Sequence, residues 1–517
     1  MTCDSPLHSL PQELRTGHDR ITSILNAAKH RTPSDAIEQL CFLIFLKILD
    51  EEAEDNVTGD LFPSQTERFR WSRWCGKPAA ELRDFLSDDV FPYMSSLVRE
   101  DQQVADYFRG AALEIKEPEM LKRIVDELDQ IKFTKLQSID SGNFFEAFLG
   151  RLSNSSDTGH YYIPKIIREI MITLANPKAG ETINDMACGT GGLLVEAIKI
   201  KPPLIKHLNY GHEGDLGGFA FNPINQIPPG PPLQSGEFYV SGADISHQMV
   251  RITTMNLILH GIRHPKITRA NTLATTGGLP EDELNRKYSI VLCDPPMGMQ
   301  VPRGFLRQGL PNDARRSELL FTWLAMELLE PGGRAAVILP EAVLSATAPA
   351  AFGLRKKLVD DFDLLAVISL PSNCFRASGV LKASIVVFRR PTASVLDKNC
   401  MTLFCELDNY GSKVLDFMHH YVANDLQVGV LAESDVSFRH ATRKAIAAAK
   451  YNLAPENYIL STTAVEDTAE LIHELLKMEQ ELITVLRTVQ HAQNVDTRWI
   501  KKQSEATREL LELLKGD

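Results

Sequence analysis

The sequence predicts an α/β protein with a helix-flanked sheet at its centre, an all-helical region before it and a helical tail after it. Two stretches define the centre. Ile183-Asn184-Asp185-Met186-Ala187-Cys188-Gly189-Thr190-Gly191-Gly192 has an apolar lead, an acid, and a glycine-bearing turn that opens an apolar helix. Strand, turn and helix of this composition form a nucleotide cradle, because glycines let backbone approach a ligand closely. Tyr288-Ser289-Ile290-Val291-Leu292-Cys293 is an apolar strand that ends in Asp294-Pro295-Pro296-Met297-Gly298. Its prolines stiffen the backbone and remove donors, leaving carbonyls and one carboxylate as acceptors suited to an amino group. Ligands of open α/β folds bind at the carboxyl ends of parallel strands, so the pair predicts a small-molecule seat beside an amine seat. The third observation is an apolar seam in the tail, at Leu471, Leu475, Met478, Leu482, Val485 and Val489. A seam of that length on a polar helix needs a partner, either the chain's own N-terminal region or another subunit.

The remaining elements follow in order. Thr32-Pro33-Ser34-Asp35 reads as a helix start, followed by Ile37, Leu40, Cys41, Ile44, Phe45 and Ile48 at helical spacing. Thr158-Gly159-His160-Tyr161-Tyr162-Ile163-Pro164 leads into an amphipathic helix carrying Ile166, Ile167, Ile170 and Met171. On its own it reads as an extended helix entry. Lys201 to Glu237 is rich in proline and glycine and reads as a long inserted loop. A strand resumes at Phe238 and ends at Asp244, and a helix containing Met255-Asn256-Leu257-Ile258-Leu259-His260-Gly261 follows. Ala270-Asn271-Thr272-Leu273 is a strand-end turn in which asparagine is also an everyday structural residue. Gln300 to Ser317 holds Arg303, Arg307, Arg315 and Arg316 against Asp313, either a phosphate-facing loop or solvated surface. Glu318 to Trp323 begins a core helix and Pro331-Gly332-Gly333 turns. Arg334 to Pro340, Leu364 to Leu370 and Ser384 to Phe388 are strands. Pro391 to Leu460 gives no clear pattern.

The 517 residues allow about three domains. A net charge of −12 argues against a protein that grips a polyanion over its whole surface, so any DNA contact is local or shared with a basic partner. The eight cysteines show neither zinc spacing nor a disulfide framework, which predicts reduced thiols in the cytoplasm. Met1 to Pro6 lacks the marks of a signal peptide, and the apolar run Leu40 to Leu46 is cut by Lys47 far short of a membrane span.

From about residue 35 to residue 390 these motifs resemble the modification (M) subunits of type I restriction-modification systems, N6-adenine DNA methyltransferases that use S-adenosylmethionine. Phe42 to Asp50 is similar to the Phe-Leu-Lys-containing first helix of that family. Thr158 to Pro164 is similar to its Gly-x-Tyr/Phe-Tyr/Phe-Thr-Pro segment. Met255 to Gly261, Pro331 to Arg334 and Leu370 to Phe375 match further family segments. The resemblance implies a class I methyltransferase domain, a Rossmann-like mixed sheet flanked by helices, at 151–395 with an insertion at about 201–237. An N-terminal helical domain at 1–150 precedes it; a mixed extension at 396–460 and a helical tail at 461–517 follow. It implies S-adenosylmethionine as cofactor, no metal and no membrane, and cytoplasmic action on DNA with a specificity (S) subunit, a restriction (R) subunit and two M copies per complex.

By the same resemblance the cofactor residues are Tyr162, Ile163, Pro164, Asp185, Ala187, Gly189, Thr190, Gly191, Gly192, Asp244, Ile245, Asn271, Thr272 and Leu273. Asp244 at a strand tip suits the ribose hydroxyls, with Glu213 of Tyr210-Gly211-His212-Glu213 as its rival. The catalytic residues are Asp294, Pro295, Pro296 and Met297. The lone pair of adenine N6 is delocalised into the ring, so the enzyme must draw its N–H bonds toward Asp294 and the Pro295 carbonyl and align the nitrogen. The base must leave the duplex and stack on the fourth motif residue. Three positions depart from the family pattern: Ile163 for threonine, Asn271 for aspartate and Met297 for an aromatic. Methionine on an aromatic face is worth roughly 0.3–1.5 kcal/mol, against about 1–3 kcal/mol for aromatic stacking on a base. Two alternatives therefore stand beside the main reading: a catalytically weakened cofactor- or DNA-binding assembly subunit, and a methyltransferase of RNA or protein amines.

Overall fold

The computed structural model describes residues 9–27, 32–54, 62–97, 102–150, 163–178, 180–199, 239–262, 265–275, 277–302, 306–372, 382–392, 400–407, 412–423 and 437–459. All of these but Ile459 lie in one compact unit, residues 1–458. The insertion, the tail seam, Tyr162, Glu213 and Arg303 fall outside the described residues.

A nine-stranded sheet forms among the described residues, made of β1 (Thr182–Asp185), β2 (Tyr239–Asp244), β3 (Lys266–Arg269), β4 (Tyr288–Cys293), β5 (Leu329–Pro340), β6 (Asp363–Ser369), β7 (Ala383–Arg389), β8 (Met401–Glu406) and β9 (Ser437–Thr442). The strand order is β3-β2-β1-β4-β5-β7-β6-β8-β9. β7 runs antiparallel between β5 and β6, β9 runs antiparallel to β8, and the other pairs are parallel. Every residue of β4 is buried, as a parallel strand covered on both faces requires. The order runs outward through β1, β2 and β3 on one side and starts again with β4 and β5 on the other. The crevice between β1 and β4 is therefore the switch point where such sheets hold ligands.

Two expectations change. Pro331-Gly332-Gly333 stays within β5: the register with β4 jumps from Tyr288 opposite Leu329 to Ile290 opposite Arg334, and Gly332 takes a φ of +84°. Tertiary pairing thus absorbs the turn signal as a bulge. The unassigned stretch after Pro391 adds β8 and β9 to the sheet.

The helices before residue 150 share one core. The Pro33–Glu54 helix at its heart starts with a reciprocal cap, since Thr32 N donates to Asp35 Oδ2 at 2.9 Å and Asp35 N to Thr32 Oγ1 at 3.2 Å. This helix is buried on nearly all sides, Lys47, Asp50, Glu51 and Glu52 included. Lys47, Glu51 and Asp50 are tolerated there because they are paired: Lys47 Nζ lies 3.1 Å from Glu51, and Arg70 Nε lies 2.7 Å from Asp50. The six described cysteines are free thiols. No described helix is long and apolar enough to cross a membrane.

The His247–Leu259 helix belongs to both cores. Met249, Ile252, Met255, Ile258 and Leu259 enter the helical core, and Leu257 enters the core under the sheet. Its end is locked to the Ser138–Leu149 helix, where Ser141 Oγ donates to Leu259 O at 2.7 Å and the His260 ring lies against Gly142. A Cβ at Gly142 would sit 2.2 Å from His260 Nε2. Gly142→Ala should therefore destabilise the chain by about 1–3 kcal/mol through overpacking. Urea unfolding of the single and double variants should show strong non-additivity with His260→Ala, which vacates the clashing volume.

Candidate active site

Three carboxylates meet where the sheet divides. Asp185 ends β1 and pairs in register with Gly242 of β2 on one side and Leu292 of β4 on the other. Asp244 ends β2, two residues past Gly242, and Asp294 stands two residues past Leu292. Period-two geometry brings all three to the same rim of the sheet. Asp185 is buried, and its Oδ1 accepts from Ala187 N at 3.2 Å. Burial above all, with Asp294 and Asp244 adding repulsion, pushes its carboxyl up to about 8. Asp294 is partly exposed at the strand end, and the surrounding protein pushes it up to about 7.

The glycine turn hangs between these acids. Asp244 Oδ2 accepts from Gly189 N at 3.1 Å, and its Oδ1 accepts from Ser246 N at 2.8 Å, so the carboxylate is oriented at the mouth of the turn. Gly189 and Gly191 have φ values of +53° and +79°, which favour glycine, and a Cβ at Gly191 would lie 2.8 Å from the Thr253 methyl. Thr190 is buried, and Gly192 starts the Gly192–Lys199 helix. Ile245 beside Asp244 is 67% exposed, an apolar surface at the rim of the same turn.

On the other side of the crevice no donor among the described residues reaches the Asp294 carboxylate or the Pro295 carbonyl. The Pro296 carbonyl is taken by Ser317 Oγ at 2.5 Å, and Gly298 N donates to Glu318 Oε2 at 3.0 Å. Ser317 and Glu318 thus hold the motif's second half and leave its first two acceptors available. Met297 is partly buried and packs against the core under the sheet.

The other expected residues divide. Ile163 also packs on the sheet core, and Pro164 caps the Lys165–Ala175 helix. Asn271 closes its own turn, its Oδ1 accepting from Leu273 N at 3.2 Å, while Thr272 Oγ1 donates to Met186 O at 3.1 Å and Leu273 is buried. This turn ties β3 to the end of β1. In the arginine loop, Arg307 is turned inward to the Leu284 carbonyl and Arg316 pairs with Glu318 at 2.7 Å. Both are committed within the chain.

The supporting roles of four residues escaped the motif reading, Asn256 and Glu318 among them although their segments were recognised. Ser317 and Glu318 follow a double arginine at a helix start, where the sequence shows only a core helix. Thr253 and Asn256, at i and i+3 on the His247–Leu259 helix, donate to the Gly189 carbonyl at 2.5 Å and the Thr190 carbonyl at 3.0 Å. Their spacing on one helix face was the available signal.

The sheet order, with its inserted antiparallel β7 and a glycine turn opposite an Asp-Pro-Pro strand end, defines a class I methyltransferase. The N-6 DNA methylase family model matches residues 138–467 and the HsdM N-terminal domain model matches residues 19–128. The type I restriction enzyme EcoEI methylase subunit of Escherichia coli is 28% identical over 382 residues, covering 69% of this chain and 71% of that protein. The StySJI methylase subunit of Salmonella typhimurium is 27% identical over 387 residues, covering 70% of this chain and 65% of its own length. Among solved structures, a modification subunit of a type I restriction enzyme from Vibrio vulnificus matches with a TM-score of 0.60 at 20% identity, over 84% of this chain and 93% of that one. The type I methyltransferase subunit of Streptococcus thermophilus matches with a TM-score of 0.62 at 16% identity, over 88% and 100%. The chain belongs to the N-6 DNA methylase family, as an adenine-specific DNA methyltransferase of the type I modification-subunit kind.

The raised Asp185 and Asp294 carboxyls give a signed pH dependence. An unfolded aspartate ionises near 3.9, whereas these stay protonated to about 8 and about 7 in the folded chain. Unfolding between those values releases protons, so stability falls as pH rises through that window. Denaturant midpoints between pH 5 and pH 8.5 should fall in the parent chain and fall less steeply in Asp185→Asn.

Proposed function

We propose that the crevice between β1 and β4 seats S-adenosylmethionine on the glycine turn and the target adenine on the Asp294-Pro295 end of β4. The single observation that carries this is a pair of acceptors that no donor among the described residues reaches, Asp294 and the Pro295 carbonyl, across from an acid-lined turn. The residues present fit the cofactor. Gly189, Thr190, Gly191 and Gly192 allow close backbone approach, Asp244 is held by two amides where ribose hydroxyls can donate to it, and exposed Ile245 offers an apolar face to a purine. Asp185 and Ala187 line the floor beneath. Asn271, Thr272 and Leu273 close one wall. Ile163 and Pro164 contribute apolar surface at the helix entry, and Tyr162 belongs to the same segment.

S-adenosylmethionine, when bound, supplies the methyl group on its sulfonium. Asp294 and the Pro295 carbonyl accept the two N6 hydrogens and turn the nitrogen lone pair toward that methyl group. The carbon–sulfur bond would break as the nitrogen gains the methyl group, its electron pair staying on sulfur, and the amine gives up one hydrogen as a proton. The Asp294 carboxyl, pushed to about 7, is matched to take it at neutral pH. Pro296 stiffens the turn, with its carbonyl fixed by Ser317. Met297, where the family pattern has an aromatic, meets the flipped base with a smaller stacking contribution. With a net charge of −12 the chain relies on a specificity subunit to read DNA, in a complex with two modification copies and a restriction subunit.

Transfer of labelled methyl groups to DNA, assayed with the specificity partner, tests this. Asp294→Ala should lower the rate by about 10²–10⁴-fold while changing cofactor affinity by no more than a few-fold. An unchanged rate would rule out Asp294 as the acceptor, and cofactor binding without transfer by the parent chain would favour an assembly subunit.

A further inference from the structure

The glycine turn is held from the far side by a helix whose other face belongs to the N-terminal core. Thr253 Oγ1 donates to the Gly189 carbonyl at 2.5 Å, Asn256 Nδ2 donates to the Thr190 carbonyl at 3.0 Å, and both side chains are fully buried. The Thr253 methyl also fills the space that any side chain at Gly191 would need. Thr253 and Asn256 thus take up two successive carbonyls of the turn, which orients the peptide units between Gly189 and Gly191. On either side of them, Ile252, Met255 and Ile258 are packed among the N-terminal helices, and Arg251 is fixed to Glu38 at 2.5 Å and to the Tyr107 carbonyl at 2.9 Å.

We propose that Thr253 and Asn256 are positioning residues that set cofactor affinity by fixing the peptide planes of the glycine turn, and that the N-terminal helical region holds them in register to do so. Neither residue touches the cofactor. They act by pre-organising the turn, which removes the ordering cost that a free glycine segment would impose on binding. The inference rests on the reading that this turn seats S-adenosylmethionine.

Calorimetric titration of the full chain with S-adenosylmethionine, alongside thermal unfolding, tests it. Thr253→Val keeps the shape and loses the donor, and Asn256→Leu loses the other donor. Each should weaken binding about tenfold, the size of one lost net hydrogen bond at the upper end of its range. Thr253→Ser restores the hydroxyl and should bind within about twofold of the parent, a rescue that a purely structural role would not produce. Thr254→Val serves as control, because that hydroxyl bonds only within its own helix, to the Val250 carbonyl at 2.7 Å; its affinity should not change. Parent-like binding by Thr253→Val and Asn256→Leu, with Asp244→Asn weakened, would overturn the proposal and leave the cofactor seat standing. Parent-like binding by Asp244→Asn would overturn the seat and the proposal together.

Discussion

Everything at this site depends on the pairing of β1 with two parallel neighbours. Because Asp185 is in register with Gly242 on one side and Leu292 on the other, the chain cannot form its central sheet without bringing Asp185, Asp244 and Asp294 to one rim. Burial raises both the Asp185 and the Asp294 carboxyl, to about 8 and about 7, and at Asp185 repulsion from Asp294 and Asp244 adds to it. That state is poised for a cation. In the proposed seat a cation would favour the charged form of these acids, Asp185 above all. A neutral rim would fold more readily and would lack this preference.

The same crevice explains why the helical region is part of the enzyme and not an appendage. Removed from it, the His247–Leu259 helix would present Met249, Ile252, Met255 and Ile258 to water, and burying each such side chain is worth about 1.5–3 kcal/mol. That helix also grips the turn through Thr253 and Asn256. A second tie is made by Glu146 of the helical region, buried against Lys199 at 2.7 Å, at the end of the helix that follows the turn, and against Arg168 at 2.9 Å, which also donates to the Gly192 carbonyl at 3.3 Å. Its paired cations hold the Glu146 carboxyl well below the usual range despite burial. Packing and ion pairing thus converge on one short loop.

Much of the sheet was legible because its inner strands are apolar runs that stop at an acid: Asp185, Asp244 and Asp294 each mark a carboxyl end. The bulge in β5 was not, because Pro331-Gly332-Gly333 carries the local chemistry of a turn and only pairing with β4 keeps it extended. β8 and β9 were missed for another reason. Ser437–Thr442 is an edge strand with few apolar residues, so its pairing with β8 leaves little periodic trace. The inward charges of Pro33–Glu54 were hidden in a third way, since the groups that meet Lys47 and Glu51 across the core, Asp129 and Thr134, lie far along the chain.

The departures from the family pattern acquire a common physical sense in place. Ile163 and Met297 both pack against the apolar core under the sheet, where a threonine hydroxyl in place of Ile163 would have to find a partner. Asn271 spends its side-chain oxygen on the Leu273 amide, which a neutral carboxamide does without adding a fourth acid to a rim that already carries three. Meanwhile the parts on which the proposed chemistry rests keep the family pattern: the turn with its positive-φ glycines, the amide-held Asp244, and Asp294 with the Pro295 carbonyl. On the proposed reading the changes therefore fall on the grip on cofactor and base, and the two acceptors assigned to the amine's hydrogens are left intact.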